Sequence, residues 1–378
     1  MRRCFSPLVI LLGLGSCRSA PVAPAALDAP SSEALWPTEP PPATALVPEA
    51  APAPQAAPAP NGPRPYELVW TAKLDGWNNS VQITASGDPI FINSRKVSLL
   101  ARHDGTVLEQ ADVGCLPSHN ALFLYDAKTG VLGCDERIME LEMPGLNVRL
   151  AHSLPKGHRN DEINAFTAQV GGVAYGTRGG GVVVLERQPP GYAVTATWKV
   201  AGEVESLSLS PDLSTVVVGV NGQLGVDGKE AAFIEVYDAK TGALRRKSDP
   251  QKRSRVTAMQ YSPDGAFVFA DAGSFEAGIM DVATASWKRN YTVGSWVSSS
   301  VWLTPTLLAG AGSDGVSLFS FDRGGTRHLE LPGVEHQPTM EGIGASADGS
   351  LVCAGTRRGL VACWSNRPVE PSTYRARP

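Results

Sequence analysis

The side chains that could do chemistry in this chain are few and scattered. Its six histidines are His103, His119, His152, His158, His328 and His336, none of them in a His-Glu-x-x-His or paired metal-ligand spacing. No Gly-x-Ser-x-Gly elbow, Walker loop or Cys-x-x-Cys pair occurs. Gly171-Gly172 and Gly179-Gly180-Gly181 have the composition of a phosphate cradle, but a cradle delivers the phosphate to a helix N-terminus. The VVVLE that follows is a β-branched strand, so these glycines read as turn residues. His158, with Asn160, Asp161 and Glu162, has the donor types of half a metal or proton-transfer site, although a loop histidine of this kind more often bonds its own backbone. No metal, cofactor or catalytic set is assigned. With 33 basic against 37 acidic residues the net charge is −4, which offers nucleic acid no electrostatic footprint.

The elements that would have to position such groups are repetitive. Residues 255–289 read as one complete unit. An alternating strand from Val256 to Tyr261 meets a Ser-Pro-Asp-Gly turn, in which proline presets φ and glycine accepts a positive φ. A wholly apolar strand from Ala266 to Ala270 follows, then a polar loop, a third strand from Gly278 to Val282 and the start of a fourth. Related turns recur near residues 87, 129, 171, 212, 305 and 348, at an interval of roughly 42 residues. One interval is longer by about ten residues, an insertion at Asn221 to Ala231 between the second and third strands of the fourth unit, where solvent-facing loops absorb length at little cost. Four short strands per unit, 39 glycines, 43% hydrophobic residues and no long helical periodicity predict an all-β, seven-bladed propeller of four-stranded antiparallel blades.

SLSPDLSTVVVGV, MQYSPDGAFVFAD and GASADGSLVCAG, with KGHRNDEINAF as a Gly-His element, make residues 66–366 resemble a degenerate WD40-like propeller. The Trp-Asp that closes a third strand in that family is here Tyr237-Asp238 in one blade and Met280-Asp281 in another. The resemblance implies architecture and a binding surface rather than an activity. YDAKTGVL (Tyr125 to Leu132) and YDAKTGAL (Tyr237 to Leu244) also look like quinoprotein-type repeats, but Gly133 and Arg245 follow where those repeats carry a docking tryptophan. Shared turn chemistry explains that likeness.

Tyr66 to Leu74 alternates correctly, precedes the first blade and has no blade of its own. It is expected to serve as the fourth strand of blade 7, closing the ring and removing a sheet edge. Residues 367–378 are too rich in proline and charge to be a central strand and read as a tail. Cys353 and Cys363 flank the hairpin loop Thr356 to Gly359 and would lie nearly opposite, a candidate cross-strand disulfide. Cys134 holds the place in blade 2 that Cys353 holds in blade 7, which reads as a site for a small apolar side chain. Cys115 falls between blades.

The N-terminus has the order of an export signal: Met-Arg-Arg, an apolar run from Pro7 to Gly15, then Leu14-Gly15-Ser16-Cys17. That run is too short for a membrane span, which needs about 20 residues. The cysteine after Leu-Gly-Ser resembles the bacterial lipobox, which implies removal of residues 1–16 and lipidation of Cys17. Arg18 after it lacks the inner-membrane aspartate, which favours the outer membrane. Residues 17–65, built from Pro, Ala and acidic residues, read as a disordered tether that could reach on the order of 140 Å if stiff.

The turns between second and third strands would share one face of the propeller. They carry Arg95 and Lys96 in blade 1, Arg137 in blade 2, Arg178 in blade 3 and Arg357 and Arg358 in blade 7, a basic arc over four adjacent blades. Asp271, Glu276 and Asp314 would make the opposite arc acidic. Lys156 and Arg159 extend the basic side, while Lys252, Arg253 and Arg255 interrupt the pattern. These residues imply a non-enzymatic, lipid-anchored envelope protein that docks an acidic protein or an anionic envelope polymer on the basic arc. The alternatives are a propeller-type hydrolase or lactonase with a metal in the central channel, or a quinoprotein-like repeat protein. Against the first, the innermost strands (SLSLS, TAMQYS, GIGAS) offer mostly Ser, Thr, Ala and Gly.

Overall fold

The computed structural model describes residues 64–154, 162–224, 230–250, 255–271, 276–294 and 296–374. The export signal, Cys17, nearly all of the tether, and His158, Lys156, Arg159, Lys252 and Arg253 lie outside them.

The described residues contain strands and no helix, arranged as seven four-stranded antiparallel blades. Blades 1 to 6 occupy residues 78–112, 117–153, 163–199, 203–247, 258–292 and 297–329, each with its first strand innermost and its fourth outermost. Blade 7 takes three strands from residues 340–365 and its outermost from Glu67–Lys73. The expected closure is therefore present. Glu67 pairs with Ser365 and Lys73 with Leu360, and the Leu74 amide donates to the Gly359 carbonyl at 2.8 Å.

Burial follows position within the blade. Second strands are enclosed by their own sheet and both neighbouring blades, so Pro89–Asn93, Gly172–Thr177 and Leu351–Thr356 are buried at every residue. Outermost strands have one wet face, and Val107–Asp112 has no buried residue. The apolar core is accordingly a set of seven clusters, one between each pair of neighbouring blades. The cluster between blades 7 and 1 holds Trp70 and Leu74 of the closing strand against Phe91, Leu100 and Val361.

The recurring turn works as its residue types dictate. In blade 5 the Ser262 hydroxyl donates to Asp264 at 2.6 Å and accepts the Phe267 amide at 3.0 Å, while Gly265 takes φ +72°. Ser210 with Asp212 and Ser346 with Asp348 repeat the arrangement. These hydrogen bonds hold the turn carboxyls below their ordinary range; Asp348, bonded first by Ser346, is drawn down to about 2.

Four features add to the sequence reading or depart from it. Residues 367–374 form no strand, but they strap the seam between blades 7 and 1. Arg102 donates to the carbonyls of Glu370 and Pro371, Ser372 donates to Asp88 at 2.9 Å, and Tyr374 donates to Glu109 and packs on the core between blades 1 and 2. Cys134 is bonded to Cys115, which ties the connection entering blade 2 to that blade's second strand, so the position is more than a small apolar site. Cys353 and Cys363 face each other across paired strands and are bonded, with Cα atoms 4.1 Å apart. Finally, blades 2 and 3 are joined into one eight-stranded sheet. The pairing of Pro117 with Cys134 jumps to Leu122 with Leu132, and the residues between bulge inward until His119 pairs in parallel with Ala165.

Candidate surface for partner binding

The first strand of each blade lines the central channel, and its entrance is built from a repeated bulge. Near the start of the inner strand in blades 1, 3, 4, 5 and 6, a side chain reaches the backbone of the next blade. Asn79 donates to the Pro117 carbonyl, Asn164 to Val204, Ser206 to Val256, Thr257 to Val297 and Ser298 to Met340, at 2.7–3.0 Å. Short polar side chains are needed there because each must span one blade gap and satisfy a carbonyl that no strand partner reaches. In blade 2 the bulge is larger. Asn120 takes φ +53°, a conformation asparagine tolerates better than most residues. Its amide donates to the Ser298 carbonyl of blade 6 at 3.0 Å, crossing the channel.

Beside this bridge lies a channel cavity of about 180 Å3, lined by the inner strands of all seven blades. Among the described residues that line it, Glu205 is the only ionisable one. Arg255 holds that carboxylate at 3.1 Å and Asn221 donates to it at 2.7 Å. Burial raises its pKa and Arg255 opposes the rise. Among the described residues no group of three or more His, Cys, Asp or Glu side chains is placed to hold a metal. Of the histidines whose side chains are described, His328 shares a hydrogen bond with Ser317 and His103 lies beside Asp104.

The turns between second and third strands share a face with the connections between blades, as antiparallel geometry requires. All six predicted cationic residues stand on it, but their surroundings differ. Arg95 is exposed and donates to the Gly114 carbonyl at 3.0 Å. Lys96 is half-buried and pairs in register with Asp112. Arg137 and Arg358 are exposed, and neither forms an ion pair among the described residues. Arg178 is 3.6 Å from Glu203. Arg357 is 2.6 Å from Glu341, a carboxylate whose side chain is only 2% exposed. The arc is thus a set of separate cations, two of them partly neutralised by carboxylates on the inner strands. The acidic counterpart loses a member: Asp271 is fully buried, accepting from Thr257 and from the Val297 amide at 2.6 and 2.8 Å. Asp271 therefore ties blade 5 to blade 6 and presents no charge to solvent, whereas Glu276 and Asp314 are exposed.

The residues that sequence reasoning passed over on this face are tryptophans. Trp77 and Trp296 are 36% and 40% exposed, each directly before the inner strand of its blade. The Arg357 guanidinium lies 5.0 Å from the centre of the Trp77 ring, so Glu341, Arg357 and Trp77 form one stack. The parallel between Gly76-Trp77-Asn78 and Gly294-Ser295-Trp296-Val297 was the available signal.

The fold defines the class as a seven-bladed β-propeller. In comparison with solved structures, the chain is similar to one in a crystal structure of a mitotic checkpoint complex, with a TM-score of 0.61 and 14% identity over 85% of this chain and 98% of that one. At that identity the likeness speaks for the fold alone. No protein-family model matches the sequence, and no curated protein does.

Proposed function

We propose that this protein is a non-enzymatic scaffold of the cell envelope, exported, held by lipid on Cys17 at the outer membrane, and presenting its propeller to a binding partner. The observation that carries the binding part is the face just described, where exposed tryptophans and arginines stand on short turns fixed by a closed ring. Tryptophan and arginine are the side chains that most often dominate binding energy at interfaces, and a rigid support lowers the entropy lost on docking. The channel supports the same reading, since its one lining carboxylate is engaged by Arg255 and Asn120 spans it. The likeness to a propeller from a multiprotein complex agrees with a binding role. The anchoring part rests on the order of residues 1–17.

Crosslinking in the native cell, with identification of what is captured, tests the scaffold. Arg95, Arg137 and Arg358 changed together to glutamate should weaken capture and its salt sensitivity, because reversing them breaks no ion pair among the described residues. Capture that is unchanged by the folded triple variant moves the surface elsewhere, and stoichiometric calcium or zinc in the purified protein would favour the hydrolase reading instead. Separately, Cys17→Ser should release the protein from the detergent phase; an equally membrane-bound variant would remove the lipid anchor from the proposal.

A further inference from the structure

On the face that carries the tryptophans, a cleft of about 530 Å3 lies between blades 6 and 7. Ligand clefts commonly run to roughly 300–1,000 Å3. Its lining divides into two kinds of wall. Trp296, Pro338 and Leu360 supply apolar surface, and Trp296 leaves 40% of its area in solvent. Arg357 and Arg358, consecutive in the turn of blade 7, supply charge. Among the described residues of the lining the only carboxylate is Glu341, buried beneath Arg357 and in contact with it, so they carry a surplus of positive charge. The two arginines are also differently prepared. Arg357 is fixed between Glu341 and the Trp77 ring, while the exposed Arg358 side chain forms no ion pair among the described residues.

We infer that this cleft receives a short acidic segment of a partner protein whose one bulky apolar side chain packs against Trp296 and whose flanking carboxylate pairs with Arg358. This rests on the scaffold reading above and deepens it. Charge complementarity selects the partner's sign, since a basic segment would meet two arginines and find its only carboxylate already taken. The exposed indole selects the anchor, because covering it with an apolar side chain removes area from water at about 25 cal/mol per Å2, whereas a purely ionic partner would leave it wet. An anionic polysaccharide would use the arginines and stack a sugar ring on Trp296 without any need for an apolar side chain, so direct competition between polymer and peptide tells the two partner classes apart.

The probe is a fluorescent peptide centred on Asp-Glu-Phe-Glu-Asp. Its controls are one peptide with lysine for the acids, one with alanine for phenylalanine, and polygalacturonate as the anionic polymer. Anisotropy with the full chain should show binding of the acidic phenylalanine peptide that weakens with salt, and much weaker binding of both control peptides. Trp296→Ala and Arg358→Ala should each cost about tenfold or more in affinity, the loss of an interface hot spot, with Lys128→Ala, in an exposed turn on the opposite face, as the unaffected control. Arg358→Ala keeps the test sound if Trp296→Ala disturbs folding, since the Arg358 side chain holds no ion pair among the described residues. No binding by the acidic peptide, equal binding by its lysine or alanine version, or displacement of the peptide by a polymer that binds more tightly would each overturn the inference. The scaffold reading fails separately: if native crosslinks are lost in the Arg95, Arg137 and Arg358 variant but survive Trp296→Ala, the scaffold stands and this cleft is not its site.

Discussion

Replacing Trp70 by alanine tests how the ring is held shut. Trp70 lies in the closing strand at 7% exposure, packed into the cluster that joins blades 7 and 1, and its indole N–H donates to the Arg102 carbonyl of blade 1 at 2.8 Å. The same ring covers Gly105, which turns at φ +74° and whose missing Cβ leaves the space that the indole occupies. Truncating a buried aromatic to alanine costs about 3–5 kcal/mol, and stripping the Arg102 carbonyl of its donor adds about 1 kcal/mol. The sum, about 4–6 kcal/mol, is a large share of the roughly 5–15 kcal/mol that holds a typical domain folded. Trp70→Phe keeps most of the ring and loses chiefly the N–H, so it should cost about 1–2 kcal/mol. Equilibrium urea unfolding of the full chain, followed by far-ultraviolet circular dichroism with the disulfides intact, measures both. The alanine variant should unfold at markedly lower urea, with phenylalanine between it and wild type. Removing residues 66–74 altogether should go further, leaving the Leu360–Ser365 strand as an open edge and the protein prone to aggregate. If Trp70→Ala costs less than about 1 kcal/mol, or the truncated chain melts cooperatively at the wild-type temperature, the argument that this strand locks the ring is wrong.

Three further outcomes are expected. Gly349→Ala should destabilise far more than Gly265→Ala although both occupy the same turn: a Cβ at Gly349 would overlap the Leu303 carbonyl of blade 6, whereas at Gly265 the nearest atom is 3.5 Å away, leaving only a φ penalty of about 1 kcal/mol. Trp198→Phe should be nearly neutral by calorimetry, because the buried Trp198 N–H has no hydrogen-bond partner among the described residues, whereas Trp364→Phe should cost about 1 kcal/mol by losing its bond to the Glu330 carbonyl. Burial raises the Glu341 pKa, with Arg357 opposing, so the folded protein holds this proton to higher pH than the unfolded chain does. The stability this supplies is complete below the ordinary carboxylate value of about 4.3 and is lost as pH rises through the raised one. Glu341→Gln should therefore gain stability relative to wild type as pH rises above the ordinary carboxylate value of about 4.3; a difference that is flat with pH, or of opposite sign, would refute the assignment.

What could be read from the residues alone was whatever local chemistry sets. The Ser-Pro-Asp-Gly turn needs only neighbouring atoms, so its recurrence exposed the blade period, and the alternation of Tyr66 to Leu74 marked a strand without a blade. Cys353 and Cys363, ten residues apart on one hairpin, were also legible as facing each other. The hexapeptide Tyr-Asp-Ala-Lys-Thr-Gly shows the limit. It occurs at residues 125–130 and 237–242, and in both places the aspartate accepts the amides two and three residues on. Yet the first copy joins the first and second strands of its blade, and the second joins the third and fourth. Identical turn atoms cannot tell which strands they join. That is decided by which face of each strand finds a neighbouring blade. The same non-local packing buried Asp271, set Glu341 beneath Arg357, brought Asn120 of blade 2 to Ser298 of blade 6 and left Trp77 and Trp296 in solvent. Repeat period, turn chemistry and ring closure follow from contacts between residues close in the chain or from one alternating strand. The fate of each charge and tryptophan on the binding face depends on side chains from two or three different blades, which only the closed ring brings together.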